Sequence, residues 1–340
     1  MTPTEYEVYS FEAFRKKYQD DIRPIQRASM SSIDPVLLED YLLRVKKDKP
    51  NFARLDNETI LELLSITHDG VPTLAAELMF GKYPQAFAPQ LSIIAIVIPG
   101  TEMGELSDNG ERFTDNKRIE GTLPQMLNDA LRFVQNNTKT STSIDPKTGK
   151  RIDKSEYPMV AVREAILNAL IHRDYSIHTE GMPVQLLIFS DRLEISNPGG
   201  LYGRLSIDQL GKTQPDTRNP VIALAMETLK ETENRYSGIP TIRRELSEAG
   251  MPAPQFINQR GTFTVCFMKN TDTAALTPRE KILQFCTEYR SRSEITTMLG
   301  FKTEPYVMKQ FVAPLVEEGV LELELPEKPK SSKQRYKIKS

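Results

Sequence analysis

Residues 163–176, "REAILNALIHRDYS", decide how the rest of the chain is read. Ile166, Leu167, Leu170 and Ile171 recur at helical spacing, so the stretch is expected to form a short helix. Glu164, Asn168 and His172 stand at i, i+4 and i+8, which places them on nearly one face. A polar stripe of this kind is by default the solvated side of its helix. The downstream chain gives it another meaning. Two strand-like runs, "PVQLLIF" and "LEIS", flank the turn Ser190-Asp191-Arg192 and lead into the glycine turn "NPGG" at 197–200. A carboxylate, a carboxamide and a glycine turn are the parts of a nucleotide site built without a P-loop. Asn offers an oxygen to Mg²⁺, Glu can deprotonate a water, and glycine lets backbone approach a purine or phosphates.

Two local signals point elsewhere and fail. His172-Arg173-Asp174 matches the catalytic tripeptide of protein kinases, but that loop needs an Asn five residues after its Asp, and Thr179 stands there. Gly211-Lys212-Thr213 looks like the end of a phosphate-binding P-loop. The glycine required five residues earlier is Ser206, so the wrap around phosphate is missing.

Outward from this centre, 201–219 is rich in Gly, Pro, Asp and Thr and reads as a mobile loop. Helix is expected at 221–230 and after Gly238, and "GTFTVCFM" closes the section as a strand. Upstream, helical stretches are expected at 11–18 and 35–46, then around "LDNETILELLSI" and "VPTLAAELMFG". "LSIIAIVI" reads as a buried strand, "TLPQMLNDALRFVQNN" as helix, and the polar segment 139–156 as an exposed loop.

Composition bounds these readings. A chain of 340 residues, 39% hydrophobic and 26% charged, is expected to form two or three globular domains. No apolar run is long enough for a membrane span and no signal core is present, so a cytoplasmic location is expected. The two cysteines, Cys266 and Cys286, form neither a disulfide framework nor a zinc site. A net charge of -2 says nothing overall about nucleic acid, so the distribution of charge along the chain has to be read.

Past the small polar linker "NTDTAA", the order becomes helix, helix, longer helix and a strand pair, which is the winged helix-turn-helix order, with 303–318 as recognition helix. Lys309 on that helix and Lys328, Lys330, Lys333 and Arg335 in the wing, followed by Lys337 and Lys339, are the candidate DNA-phosphate contacts. Glu304, Glu317 and Glu318 on the same helix argue for a protein-docking alternative.

Four stretches, "REAILNALIHRDYS", "DRLEISNPGGL", "RNP" at 218–220 and "SGI" at 237–239, together resemble the divergent GHKL-type ATPase domain at the C-terminus of Schlafen/AlbA-type bacterial transcriptional regulators. "DGVPTLAAELMFGKYPQAFAPQ" at 69–90 is similar to the segment those proteins carry ahead of that domain, and the resemblance covers 56–269. It implies an α+β fold: a GHKL-like α/β sandwich with helices on one face of a mixed sheet. The corresponding divisions are a helical lead-in at 1–55, a remnant or truncated AlbA-type region; an α/β segment at 56–138; the ATP-binding core at 139–269; and the winged helix at 276–340.

By position, the resemblance makes Glu164 the general base and Asn168 the Mg²⁺ ligand. Asn197, Gly199 and Gly200 would lie beneath the adenine, and Gly238 and Ile239 would form the second glycine element at a helix N-terminus that favours phosphate. Two departures bear on activity. Asn197 replaces the usual Asp that reads adenine, and "RYSGIPTI" holds one glycine where relatives have Gly-x-Gly. The leading expectation is an ATP- and DNA-binding transcriptional regulator, a homo-oligomer using ATP and Mg²⁺, with no membrane partner. The alternatives are a Mg-dependent ATPase, and a non-catalytic protein-interaction scaffold that no longer binds nucleotide. Helicase activity is not expected, since no motor motif is present.

Overall fold

The computed structural model describes residues 19–107, 109–144, 151–203, 205–213, 216–229, 231, 238–269, 278–301, 303–329, 331 and 334–339, and of 141–144, 151–154 and 280 the backbone alone. The expected helix at 11–18 lies outside the described residues, as do Asp145-Pro146, Thr148-Gly149, Ser237, Lys330 and Lys333. The chain forms two compact units, Met1–Lys269 and Asn270–Ser340.

In the first unit, α1 (Pro35–Asp48) begins at Asp34, whose side chain accepts from the backbone N–H groups of Val36 and Leu37. Asp56 caps α2 (Asn57–Leu63) in the same way. β1 (Thr67–His68) and β2 (Val71–Pro72) pair around Asp69 and Gly70, both at positive φ, the two-residue turn that suits the twist of a hairpin. Thr73 then caps α3 (Leu74–Phe80), in which every residue is buried.

β3 (Ile93–Val97) and β4 (Asp115–Ile119) open the main sheet, and α4 (Leu123–Asn137) follows behind a Thr122/Gln125 capping box. The segment expected as an exposed loop forms a hairpin of β5 (Thr140–Ile144) and β6 (Arg151–Ser155). Its alternating Thr and Ser carry little hydrophobic signal, but β-branched Thr suits extended backbone. The helix expected from the stretch at 163–176 is α5 (Met159–His172). β7 (Val184–Ile188), β8 (Arg192–Pro198), α6 (Pro220–Thr228), α7 (Gly238–Glu248), β9 (Gln255–Gln259) and β10 (Thr262–Met268) complete the unit.

The six strands run in the order β4-β3-β7-β8-β10-β9. Only β3 and β7 pair in parallel, so the sheet is mixed. α4 packs on β3, α5 on β8 and α7 against α5. Ile93, Ala95, Leu186, Leu193 and Ile195 from the sheet share one core with Ala161, Val162, Ala165, Ile166 and Ala169 of α5. That core also takes in Tyr41, Ile60 and Phe80 from the N-terminal elements. The α+β arrangement, helices over a mixed sheet, is as the sequence led one to expect. No helix among the described residues is long and apolar enough to cross a membrane.

The second unit runs α8 (Pro278–Phe285), β11 (Arg290–Ser291), α9 (Arg292–Leu299), α10 (Glu304–Val307), a π turn (Met308–Val312), α11 (Ala313–Glu317), β12 (Leu321–Leu323) and β13 (Arg335–Ile338). Its three strands order as β11-β13-β12 around a core of Ile282, Cys286, Ile295, Val307, Val312, Leu315, Leu321 and Tyr336. The helix expected at 303–318 thus carries a wide turn. Pro314 has no N–H to return to the Gln310 carbonyl and its ring crowds that oxygen, which accounts for the widening.

Candidate functional site

The face of α5 that carries Glu164, Asn168 and His172 is turned inward, over a cavity of about 420 Å³. Asn197 reaches it from the end of β8, Gly200 from the following turn, Gly238 and Ile239 from the start of α7, and Phe263 and Val265 from β10. The stripe is therefore not the solvated side of its helix. This volume is in the range of small-molecule and cofactor sites.

Gly238 stands between the two α5 side chains that matter most. A Cβ placed on it would lie 3.0 Å from Glu164 Oε2 and 3.0 Å from Asn168 Nδ2. The N-terminus of α7 is thus pressed against the carboxylate and the carboxamide. Its N-terminal turn, the positive end of the helix dipole, lies beside both. Nδ2 of Asn168 is buried with no hydrogen-bond partner among the described residues, a state that costs free energy unless a ligand relieves it.

At the other end of the cavity, Asn197 is 4% exposed and its Nδ2 donates to the carbonyls of Pro198, at 3.2 Å, and Gly199, at 3.4 Å. Gly200 lines the cavity, whereas Gly199 does not. Gly199 sits at φ +90°, and a Cβ there would meet Asp174 Cβ at 2.6 Å and Arg218 Nη1 at 2.7 Å. The protein's own packing thus constrains Gly199, the residue that the resemblance puts in the turn beneath the adenine.

This packing explains the tripeptide that mimicked a kinase. Asp174 receives Arg218 at 3.0 Å, and its N–H donates to the Pro198 carbonyl at 2.8 Å. Arg218 also donates to the Gly200 carbonyl at 3.0 Å and lies over the Tyr202 ring. Arg173, 1% exposed, donates to the carbonyls of Thr179 and Met182 and holds that loop. Asn219 caps the C-terminus of α5 by donating to the Ile171 and Arg173 carbonyls at 2.7 and 2.9 Å. The "RNP" motif is therefore a brace between α5 and the glycine turn. His172 alone of the tripeptide lines the cavity, and burial together with Arg218 pushes its pKa down to about 4, so it is neutral at ordinary pH.

Sequence reasoning did not single out Tyr202, Leu210, Asp216, Glu227 or Phe263, all of which line the cavity. Gly211 and Thr213, which do not complete a P-loop, line it too, with Gly211 at φ +75° against Ile239 and Pro240. Arg243 of α7 anchors that segment by donating to the Leu210 carbonyl at 2.9 Å. Among the described lining residues are the acids Glu164, Asp216 and Glu227 but no lysine or arginine. No cluster of three or more metal-ligating side chains occurs among the described residues. A polyanionic ligand would thus need a cation of its own, held by one or two protein oxygens plus the ligand, as Mg²⁺ usually is. Glu164 and Asn168 beside the α7 N-terminus fit that requirement.

In the second unit, Lys309 lies on the π turn and Arg335 at the start of β13, both exposed. Lys328 is exposed between β12 and β13. Phe301, Tyr306 and Phe311 form an aromatic cluster with ring centroids 5.6–5.9 Å apart, and Tyr306 is 51% exposed.

Comparison with known proteins adds the following. Residues 181–267 match the family described as "Putative ATP-dependent DNA helicase recG C-terminal", residues 280–339 match "Filamentation induced by cAMP protein Fic-like, C-terminal domain", and residues 10–91 match a domain of unknown function. The first match begins after α5, so Glu164, Asn168 and His172 lie outside it and are tied to it by the cavity. No curated protein sequence matches. The DIP2311 protein of Corynebacterium diphtheriae shares the fold at TM-score 0.55 and 16% identity, over 88% of this chain and 61% of its own. This chain therefore spans somewhat under two thirds of that protein. A Fic family protein of Desulfovibrio desulfuricans G20 aligns over 98% of this chain and 91% of its own at 14% identity, but its TM-score of 0.18 carries no structural argument. Residues 181–267 are thus similar to an ATPase-like family, set in an α+β sandwich that recurs in another bacterial protein.

Proposed function

We propose that the protein binds ATP with Mg²⁺ in this cavity and that nucleotide occupancy governs a DNA-binding winged helix in the C-terminal unit. The observation that carries the nucleotide half is convergence. Glu164 and Asn168 from α5, Asn197 from β8, Gly200 from its turn, and Gly238 and Ile239 from α7 line one cavity next to a helix N-terminus. Asn168 would ligate the Mg²⁺ that offsets the acidic lining, and Glu164 beside it is placed to deprotonate water for a slow ATPase activity. The ATPase-like family match to residues 181–267 supports the same reading.

Support for the DNA half is the helix–strand–helix–helix–strand–strand order of the second unit and the exposed cations Lys309, Lys328 and Arg335. The aromatic cluster at Phe301, Tyr306 and Phe311 favours a second reading of that unit, as a protein-docking module. Calorimetry separates the nucleotide reading from its absence. MgATP is expected to bind the wild-type chain, and Asn168→Ala to lose about tenfold or more in affinity, the worth of about one charge-assisted hydrogen bond. Wild-type protein that gives no heat with MgATP, and no shift in unfolding midpoint, contradicts the proposal.

A further inference from the structure

We infer that His172 is a ligand-contacting residue that hydrogen-bonds the nucleoside part of the bound molecule, its base or its ribose; this rests on the nucleotide reading above. Sequence assigned His172 no chemical role. The structure places it in the cavity wall, one helical turn beyond Asn168 on the same face of α5. Neither ring nitrogen is hydrogen-bonded to any of the described residues. Both of its sequence neighbours in the tripeptide are consumed by internal bonds, so their fixed backbone also fixes where the imidazole sits.

Position along the cavity identifies which part of a nucleotide it meets. Glu164 and Asn168 flank Gly238 and the α7 N-terminus, the end suited to phosphate and metal. Beyond His172 the chain leaves α5 and the Asp174 N–H donates to the Pro198 carbonyl at 2.8 Å, next to Asn197. His172 therefore lies on the Asn197 and Gly200 side. A neutral imidazole offers one donor and one acceptor, which matches a ribose hydroxyl or a purine edge, each of which also offers both. Burial first, and Arg218 second, disfavour a charged ring, so the imidazole is not a phosphate-binding cation.

The test is calorimetry of the full chain with adenosine, MgADP and MgATP on wild type, His172→Ala and His172→Gln, with thermal unfolding as a fold control. His172→Ala is expected to weaken all three ligands by the same factor, about three- to tenfold. His172→Gln, which keeps a donor and an acceptor, is expected to recover part of that loss. In the ¹⁵N spectrum of the wild-type imidazole, adenosine alone is expected to shift one ring nitrogen. If His172→Ala binds all three ligands as tightly as wild type, the assignment falls. If it weakens MgATP and MgADP but leaves adenosine unchanged, His172 serves the phosphates and the assignment falls likewise. If the wild-type chain binds none of the three, the nucleotide reading itself is wrong, and this inference with it.

Discussion

Gly199 and Gly70 both adopt positive φ, at +90° and +72°, yet alanine would meet different surroundings at each. At Gly70 nothing lies within 4 Å of a new Cβ, so Gly70→Ala should cost only the left-handed strain, about 1 kcal/mol. At Gly199 the Cβ would press on Asp174 Cβ and backbone N at 2.6 and 2.9 Å, and neither can move without breaking the brace to Arg218. Gly199→Ala is expected to lose roughly 2–3 kcal/mol or more, read as a lower denaturant midpoint at unchanged m-value. Equal costs at the two positions would mean that the Asp174–Arg218 brace is slack. Glu164 and Asn168 could be picked out from sequence because i, i+4 spacing is local. What Gly199 touches could not, since the Asp174–Arg218 pair is brought to it only by the fold.

Helix α6 shows how the N-terminal elements reach the cavity. Pro220, Ala223, Leu224 and Glu227 of α6 form part of the cavity wall. Its N-terminus is capped by Asp21, whose Oδ2 accepts from Val221 N at 2.8 Å and Ile222 N at 3.3 Å. Just past its C-terminus, Arg44 of α1 donates to the Leu229 carbonyl at 3.2 Å. Residues 19–48 are thus a clamp on the site more than a lead-in. Asp21 is fully buried and its other oxygen has no partner among the described residues, and desolvation raises its pKa from 3.8 to about 6. Between those values the folded state holds more protons than the unfolded chain, so stability falls as pH rises through that window and stays lower above it. Asp21→Asn keeps an acceptor for the two N–H groups and removes the charge. Chemical denaturation across about pH 4–8 should show this slope in wild type and not in the variant, which should be the more stable at about pH 7.5 by on the order of 2 kcal/mol. A variant less stable than wild type at that pH would show that the ionised cap is favourable. Such long-range caps leave no trace in periodicity, and β4, with Asp-Asn-Lys-Arg before its one buried Ile119, hides for a related reason. It is an edge strand whose charged residues face solvent.

At the scale of the molecule, the change of pattern after "NTDTAA" was legible because it marks a second core, Ile282 to Tyr336, separate from the first. What that unit binds is less legible, because its helices carry acids and exposed aromatics beside few cations. If DNA is the partner, retention of the full chain on duplex DNA should weaken steeply with salt. Replacing Lys328, Arg335, Lys337 and Lys339 with Gln should flatten the log–log salt slope by about 0.9 for each phosphate no longer neutralised. An unchanged slope with those four neutralised would move the unit to the protein-docking reading. The nucleotide site stands or falls on one determination, a crystal structure with Mg²⁺ and a non-hydrolysable ATP analogue. The analogue is expected in the α5 cavity, its base beside Asn197 and His172, with Mg²⁺ on Asn168 and a water between Glu164 and the terminal phosphate. An empty cavity at saturating analogue, or a ligand seated elsewhere, would contradict it.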